Sequence, residues 1–371
     1  MLMMTNMRKY LGFLLIVYCF SGIESYNNRL MSCPCSVAKY CDRIDAPGRR
    51  EVFGFGVNLT NYRSFNWTKL TTLVVYETEL NKVGIDLVCL AHQHQTRVLV
   101  VAPISGEDLK NATARTEVVK YFHAFAEKNY LDGADIDVEI NTLELALRNG
   151  LTDFAAELKY TFKATWPSSI VVVDVFWLPN IYHNTWGLAD ACDFLFIMAY
   201  DEQHDMLPPC VARANAPYAQ TQAGVAAFRA IGIPGEKLVV GLPWYGYIYN
   251  CSNLTDQNLC YIKKDPNKKT HCTQSVGKEL DYRVILKILP NSMGGRQWSD
   301  VYKSPFLNYK DNSTGIIQQI WFDDPESLSL KYSLADKFDL RGVGVWTVDA
   351  LDYNPSDQVT AAMWNAVPSY K

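Results

Sequence analysis

Residues 131–139 have the sequence Leu131-Asp132-Gly133-Ala134-Asp135-Ile136-Asp137-Val138-Glu139. Side chains alternate between the two faces of a β-strand, so a strand here places Asp135, Asp137 and Glu139 on one face. Three carboxylates in one row repel one another, and burial adds a desolvation cost. Close like charges also raise one pKa and leave an acid beside a base. The stretch therefore predicts a site of acid–base chemistry.

Two non-catalytic interpretations of this stretch are weaker. An exposed acidic edge strand explains neither Gly133 nor the apolar residues on both sides. A calcium-binding loop needs Asp or Asn at alternating positions, then glycine and a distant glutamate, which this stretch lacks. We therefore expect the three carboxylates to be functional.

Apolar, β-rich runs recur along the chain, with helical patterns between them, at residues 51–57, 70–77, 97–104, 133–140, 170–178, 193–201, 237–246 and 342–349. Residues 151, 154, 155, 158 and 162, for example, form an apolar stripe with helical spacing. Strands that alternate with helices favour parallel βα units, and eight of them favour an α/β fold of the (β/α)8 TIM-barrel class. A doubly wound sheet is the alternative, but no glycine-rich phosphate-binding loop follows any run.

One interval between the runs is too long for a single loop and helix. The 95 residues between the seventh and eighth runs include Cys251, Cys260 and Cys272, several turn signals and a short amphipathic stretch. We expect residues 247–313 to form a small α+β insertion between strands 7 and 8, on the C-terminal face of the barrel. Residues 326–338 then supply the seventh helix.

The composition and the N-terminus indicate a secreted globular protein. The chain has 371 residues, of which 49% are hydrophobic and 20% charged, which suits one large core. A net charge of −4 gives no electrostatic reason to expect nucleic acid or an anionic membrane as a partner. Arg8 and Lys9 precede an apolar run at 10–20, which is too short to span a bilayer and typical of a signal peptide. We expect a signal peptide at 1–25 and the barrel domain at 26–371.

The cysteines and glycosylation sequons agree with entry into the secretory pathway. Of ten cysteines, Cys19 would leave with the signal peptide, so nine remain and at least one lacks an intrachain partner. We expect Cys192 to be the free thiol, because it opens a predicted strand and would be a small buried hydrophobic residue. N-x-S/T sequons predict a glycoprotein and lie at Asn58, Asn66, Asn111, Asn250, Asn253 and Asn312.

The acidic stretch resembles the active-site strand of glycoside hydrolase family 18, the chitinases and their relatives. Further motifs resemble one branch of this family, namely Cys33-Pro34-Cys35 with Cys41, Ala191-Cys192-Asp193-Phe194-Leu195-Phe196, Met198-Ala199-Tyr200-Asp201-Glu202, Pro243-Trp244-Tyr245-Gly246-Tyr247 and Leu351-Asp352-Tyr353. The resemblance runs from about residue 33 to the C-terminus. Many chitinases have tryptophan where Val138 stands, and nothing resembles a chitin-binding module, which argues against crystalline chitin as the substrate.

The resemblance implies an unusual use of the carboxylates. Two carboxylates normally flank the bond that a glycosidase cleaves, and neighbours on one strand face cannot do so. In family 18 the substrate's own acetamido oxygen attacks the anomeric carbon. The resemblance then implies that Glu139 is the general acid and base and that Asp137 orients the acetamide. Asp135 would pair with Asp137 and help to set its proton.

Residues near the ends of other strands complete the predicted cleft. Tyr200 and Asp201 close the sixth run, and the resemblance implies that Tyr200 holds the acetamido oxygen while Asp201 contacts the sugar. Trp346 matches the tryptophan that floors the sugar-binding cavity, where an indole face suits a pyranose. Tyr245 and Trp177 lie at the ends of the seventh and fifth predicted strands and are further candidates, with core packing as the alternative.

The expected partner is an N-acetylglucosamine oligosaccharide substrate, with no metal, no cofactor and a monomeric chain. His92 and His94, on a predicted helix, face different directions and do not form a metal site. The resemblance implies cleavage of the GlcNAc-β-1,4-GlcNAc chitobiose core of asparagine-linked oligosaccharides, from the reducing end and in the lysosome. The alternatives are secretion, a chitinase-type hydrolase of soluble chito-oligosaccharides, and a non-catalytic lectin. Such lectins usually lack the glutamate present here as Glu139.

Overall fold

The computed structural model describes residues 33–139, 144–181, 183–202, 209–263, 277–354 and 358–371. The expected signal peptide lies outside these ranges, as does Cys272. The described residues from Pro34 onward form one compact unit. No helix in these ranges is both long enough and apolar enough to cross a membrane.

A closed barrel of eight parallel strands forms the centre of the fold. Its strands are β1 (Glu51–Gly56), β2 (Thr72–Val75), β3 (Arg97–Val101), β4 (Gly133–Ile136), β5 (Ile170–Phe176), β6 (Phe194–Met198), β7 (Leu238–Pro243) and, after seven strands of an insertion, β15 (Gly342–Trp346). The order around the barrel is β1-β15-β7-β6-β5-β4-β3-β2. Each predicted run contains one barrel strand. This closure confirms the TIM barrel and excludes the doubly wound sheet.

Helices surround the barrel, and one further helix lies in the insertion. They are α1 (Glu77–Val83), α2 (Asp86–Gln93), α3 (Gly106–Leu109), α4 (Ala112–Lys128), α5 (Leu145–Thr165), α6 (Thr185–Ala191), α7 (Tyr218–Ala230), α8 (Tyr282–Ile288) in the insertion, α9 (Pro325–Tyr332), α10 (Leu334–Lys337) and α11 (Gln358–Ala366). The predicted apolar stripe of α5 is buried in the core, which confirms the helical pattern. The seventh helix, expected at 326–338, is divided into α9 and α10. A capping box at Asp324 and Ser327 starts α9.

Aromatic side chains fill the inside of the barrel. Phe53 packs against Phe194 and Phe196, with ring centroids 5.8 and 5.4 Å apart. Phe196 needs glycine beside it, because a Cβ on Gly241 or Gly344 would lie 2.1 or 2.2 Å from its ring. The filled interior leaves the carboxyl ends of the strands as the place for polar chemistry.

Strand β4 is shorter than predicted. The expected strand extended to residue 140, but β4 ends at Ile136, and residues 137–139 continue beyond it. At its start, Gly133 approaches β5 so closely that a Cβ would lie 1.8 Å from the carbonyl oxygen of Ile170. This contact requires glycine and explains why one stands in the acidic stretch.

The described residues from β8 to β14 form an α+β insertion, which is larger than the predicted 247–313. Its main strands are β8 (Tyr245–Asn250), β11 (Gly277–Asp281), β12 (Met293–Ser299), β13 (Ser304–Lys310) and β14 (Ile317–Trp321). They form an antiparallel sheet in the order β11-β8-β14-β13-β12. The predicted limits are too narrow because β8 starts directly after β7 and β14 returns to pair with β8. A small hairpin of β9 (Asn253–Leu254) and β10 (Cys260–Tyr261) lies between β8 and β11 in the sequence.

Disulfides fix the N-terminal arm and the hairpin. Cys35 is bonded to Cys89 of α2, and Cys251 is bonded to Cys260. Among the described residues, Cys192 is a free and buried thiol, which confirms the prediction. Burial raises the pKa of this thiol to about 12, so it stays protonated and unreactive.

Candidate active site

The predicted site residues gather where the barrel strands end. They are Asp137 and Glu139 after β4, Tyr200 and Asp201 after β6, Tyr245 at the start of β8, and Trp346 at the end of β15. Asp135 lies below them, within β4. TIM-barrel enzymes carry their catalytic groups on this face. Trp177 directly follows β5, and its contacts are described below.

The three carboxylates differ in burial as the chain leaves the barrel. Asp135 is fully buried, Asp137 is half-buried and Glu139 is exposed. Burial raises the pKa of Asp135 well above its usual value, and the charge of Asp137 raises it further. Burial also raises the pKa of Asp137, whereas a hydrogen bond from Tyr76 lowers it. The row thus divides into an inner group that keeps its proton and outer groups placed to meet a substrate.

Tyr76 is a site residue that the sequence analysis missed. Its hydroxyl donates a hydrogen bond to Oδ2 of Asp137 at 3.3 Å. Strand alternation places Tyr76 on the same face as Val74, which packs in the barrel interior. Burial and then the charge of Asp137 raise the pKa of Tyr76, so the phenol remains a donor. The sequence feature that could have identified Tyr76 is its position on the interior face at the end of a predicted strand.

Asp174 is a second residue that the sequence analysis missed. It lies in β5 and is 2% exposed. Both of its carboxyl oxygens are buried and have no hydrogen-bond partner among the described residues. Burial raises its pKa well above the usual value, and the charge of Asp135 adds to this effect. The sequence feature that could have identified Asp174 is a single acidic residue within a continuous apolar run.

Tyr200 lies beside both the carboxylates and the aromatic residues of the cleft. Its ring stacks with Trp346 at a centroid distance of 6.2 Å and meets Tyr245 edge-on at 6.1 Å. Burial raises the pKa of its hydroxyl, and the charges of Asp174 and Asp137 raise it further. The hydroxyl therefore keeps its hydrogen and can donate it to a ligand.

Two tyrosines hold the side chain of Asp201. Tyr245 and Tyr247 donate hydrogen bonds to its Oδ1 at 2.7 and 2.8 Å. The backbone N–H of Asp201 donates to Oδ1 of Asn215 at 2.7 Å, which supports an unusual φ of +54°. The predicted cleft residue Tyr245 thus orients Asp201. The sequence analysis missed Asn215 and Tyr247, although Tyr247 lies within a quoted motif.

Trp346 lies at the mouth of the barrel. Its indole packs against Phe55, with ring centroids 4.9 Å apart, as well as against Tyr200. The side chain is only half-buried, so part of the indole is accessible to a ligand. A flat, apolar ring in this position suits the C–H face of a sugar.

Trp177 packs against the outer helix layer. A Cβ on Gly224 of α7 would lie 2.5 Å from the Trp177 carbonyl oxygen and 3.2 Å from Cε3 of its indole. The described contacts therefore do not bring Trp177 to the other predicted residues. Its contact with a sugar remains a prediction that these contacts do not support.

His183 holds the backbone between the two outer carboxylates. Its ring donates a hydrogen bond to the backbone carbonyl of Val138. Arg148 of α5 in turn donates to the backbone carbonyl of His183 at 2.6 Å. Burial lowers the pKa of His183 to about 4, so the ring is neutral over most of the pH range. The sequence analysis missed this residue because its contact with Val138 depends on the folded loops.

The fold and this arrangement of acids agree with the comparison to known families. A family model, Glycosyl hydrolases family 18, matches residues 52–350. The match covers the barrel, and the chain belongs to this family and is a glycoside hydrolase. The family resemblance stated from the sequence is therefore confirmed.

Within this family, the chain is clearly similar to several curated proteins of one kind. The chain is similar to di-N-acetylchitobiase from Rattus norvegicus, with 37% identity over 343 residues, covering 90% of this chain and 92% of that protein. It is similar to di-N-acetylchitobiase from Homo sapiens, with 36% identity over 344 residues and coverage of 90% and 88%. A class V chitinase from Nicotiana tobaccum in complex with NAG4 has the same fold. The TM-score is 0.70 at 15% identity, over 86% of this chain and 99% of that one.

Proposed function

We propose that the protein hydrolyses the GlcNAc-β-1,4-GlcNAc chitobiose core of asparagine-linked oligosaccharides, acting from the reducing end. The observation that carries this proposal is the arrangement after β4, where an exposed Glu139 follows a half-buried Asp137 that accepts a hydrogen bond from Tyr76. The relatives named di-N-acetylchitobiase, which match over 90% of this chain, support the choice of substrate.

The placement of the carboxylates favours nucleophilic attack by the substrate itself. In glycosidases that use an enzyme nucleophile, two carboxyl groups stand on opposite sides of the bond, about 5–5.5 Å apart in retaining enzymes. Asp137 and Glu139 belong to one short segment and approach the substrate from one side. The 2-acetamido oxygen of the sugar then serves as the nucleophile, as in the substrate-assisted exception among these enzymes.

The reaction proceeds in two steps around Glu139. First, Glu139 gives its proton to the glycosidic oxygen while the acetamido oxygen bonds to the anomeric carbon, and the bond to the leaving sugar breaks. This leaves a cyclic oxazolinium ion. Next, the Glu139 carboxylate takes a proton from water, whose oxygen attacks the anomeric carbon and opens the ring. Two inversions at one carbon give net retention, and Glu139 regains its proton.

Three groups around Glu139 stabilise the cyclic intermediate. Asp137 accepts a hydrogen bond from the acetamido N–H and opposes the positive charge. The hydrogen bond from Tyr76 lowers the pKa of Asp137 and so favours the anion that this role needs. Tyr200 retains its hydrogen and donates it to the acetamido oxygen, which orients the nucleophile.

Other residues bind the sugar rings. The accessible part of Trp346 supports the apolar face of a sugar, while Asp201 accepts hydrogen bonds from sugar hydroxyls. Tyr245 and Tyr247 keep the Asp201 carboxylate in position, because both donate to one of its oxygens.

We also propose that the enzyme is monomeric and reaches the lysosome through the secretory pathway. The Cys35–Cys89 and Cys251–Cys260 disulfides support passage through an oxidising compartment. Buried carboxylic acids support work at acidic pH, because Asp135 and Glu202 both have raised pKa values and keep their protons most easily there.

The test is hydrolysis of GlcNAc oligomers labelled at the reducing end, at acidic and neutral pH. We expect labelled monomer from the dimer and from longer chains alike. Labelled dimers and internal cuts would instead assign a chitinase-type hydrolase. This is the second candidate function, because the Nicotiana tobaccum chitinase has the same fold. Binding without any product would assign a lectin and contradict the mechanism.

A matched substrate tests the nucleophile. We expect no turnover of a dimer in which a hydroxyl replaces the 2-acetamido group of the non-reducing sugar, and an initial product of retained anomeric configuration from the normal dimer. Turnover of the hydroxyl analogue, or inversion, would contradict substrate assistance.

A further inference from the structure

The register of the barrel places Asp174 beside Asp137. Strands β4 and β5 are parallel, with Asp135 paired to Val172 and Ile136 paired to Val173. If this register is continued by one residue, Asp137, just past the end of β4, stands opposite Asp174 of β5. Neighbouring strands lie about 4.8 Å apart, and side chains alternate between faces, so both carboxyl groups point to the barrel interior at the same level.

The surroundings of Asp174 contain acids and phenols. Its titratable neighbours are Asp135, Asp137 and Glu139 from the β4 segment, Tyr76 after β2 and Tyr200 after β6. No cation of the described residues is among these neighbours. Asp174 is 2% exposed, and neither carboxyl oxygen has a hydrogen-bond partner among the described residues. A buried anion without a donor or a countercharge is strongly disfavoured, so the neutral acid is the stable form.

A neutral carboxylic acid beside a carboxylate has one natural partner. The acid carries an O–H donor, and an ionised neighbour offers acceptor oxygens. Asp135 lies opposite Val172, one step deeper than Asp174, whereas continuing the same register past Ile136 brings Asp137 to the level of Asp174. The O–H of Asp174 is therefore directed at Asp137.

We propose that Asp174 is a positioning residue: it remains a neutral carboxylic acid and donates its hydrogen to Asp137, which then meets the substrate's acetamido group as an oriented anion. This inference rests on the proposed function of Asp137. It gives Asp137 a donor from β5 in addition to Tyr76 and to the protonated Asp135 below it. The proton stays on Asp174 throughout the reaction, so no proton transfer through Asp174 is required.

Two substitutions of Asp174 distinguish the loss of its hydrogen-bond donor from the loss of its carboxyl group. Asp174→Asn keeps an N–H donor of similar shape, whereas Asp174→Ala removes the donor. We expect Asp174→Ala to lower kcat about 30-fold with KM changed less than about threefold, and Asp174→Asn to recover about tenfold of that loss. In the alanine variant the acid limb of the pH profile moves to higher pH, because Asp137 loses a donor to its anion.

Other outcomes would overturn the proposal. Equal losses in the asparagine and alanine variants would show that the negative charge of Asp174 is needed, and unchanged kcat in both would show that it has no role. Thermal unfolding of both variants, with the exposed Glu117→Gln as a control, identifies any loss that comes from misfolding.

Infrared spectroscopy of the free enzyme tests the proton directly. We expect the carboxylic-acid C=O absorption at neutral pH to lose one component in Asp174→Asn, while the contributions of the protonated Asp135 and Glu202 remain, with Asp135→Asn as the comparison. Persistence of the whole band in Asp174→Asn would place the proton elsewhere and overturn the inference. This measurement needs no substrate. Failure of the wild-type enzyme to cleave the labelled dimer would therefore contradict the proposed function without affecting the assignment of the proton.

Discussion

Tyr245 donates a hydrogen bond to Oδ1 of Asp201 at 2.7 Å, and so couples the start of the insertion to the end of β6. We expect Tyr245→Phe to raise KM about fivefold with little change in kcat, because one hydrogen bond that orients a sugar-binding carboxylate is lost. Steady-state kinetics on the labelled dimer measure this effect. Tyr309→Phe, on β13 of the insertion, is the control, and an unchanged KM in Tyr245→Phe would contradict the assigned role of Asp201.

Glu139→Gln removes the proton donor of the proposed mechanism. We expect kcat to fall about 1000-fold while the Kd for a GlcNAc trimer changes less than about threefold. Asp137→Asn should lose about 100-fold in kcat, since an amide cannot balance the charge of the intermediate. Glu117→Gln, on the surface of α4, is the control. Substantial turnover by Glu139→Gln would remove this residue from its role.

Tyr76→Phe changes the pH dependence of the reaction. The hydroxyl of Tyr76 lowers the pKa of Asp137, so its loss raises that pKa. Because the mechanism needs Asp137 as an anion, activity then begins to fall at a higher pH as the solution is acidified. We expect the acid limb of kcat/KM to move upward by about half a pH unit. A limb that does not move would show that another group controls it.

Because Glu202 is buried, we expect the free energy of unfolding to decrease as the pH rises from about 4.3 to about 8. The side chain of Glu202 accepts a hydrogen bond from Thr221, and burial raises its pKa to about 8. An unfolded glutamate titrates near 4.3, so between these values only the folded state holds the proton, and its advantage is lost as pH increases.

We expect Glu202→Gln to remove this dependence. Relative to the wild type, the variant should gain on the order of 3 kcal/mol in unfolding free energy between roughly pH 5 and 8. Denaturant titrations at several pH values measure this difference, and the exposed Glu236→Gln is the control. Parallel stability curves for wild type and Glu202→Gln would show that Glu202 is not the responsible group.

His183 is expected to act through the backbone of Val138. His183→Ala removes the donor that holds this carbonyl and should lower kcat about tenfold, because Glu139 is the next residue. His183→Asn should restore most of the rate, since its amide nitrogen can occupy the position of Nδ1. Equal rates for alanine and asparagine, after correction for stability, would leave His183 with a packing role alone.

The sequence predicted those features that depend on a local pattern of neighbouring residues. The apolar runs identified every barrel strand, and the alternation within 131–139 identified the acids. It did not predict Asp174 or Tyr76 as site residues, because their importance depends on which strands become neighbours. The pairing of β4 with β5 and the closure of the barrel through β2 and β1 are set by the whole chain.

The limits of the insertion and the contact of Trp177 with α7 could not be predicted for a related reason. Tyr245 starts a new strand only two residues after the barrel strand β7 ends at Pro243, so both lie in one apolar run. Strand β14 is separated from α9 by only three residues and resembles part of the following βα unit. Trp177 follows β5 like a cleft residue, but its neighbour Gly224 leaves space for it on α7.

The pairing of β8 with β11 and β14 restricts how this enzyme can be re-engineered. Strand β8 carries both tyrosines that hold Asp201, so the inserted sheet supplies part of the binding machinery as well as a wall. A variant from which the insertion is deleted would lack these tyrosines and would bind the sugar more weakly. Exchanging the whole segment for that of a distant homologue would succeed only where the donor brings equivalent phenols at the same two alternate positions.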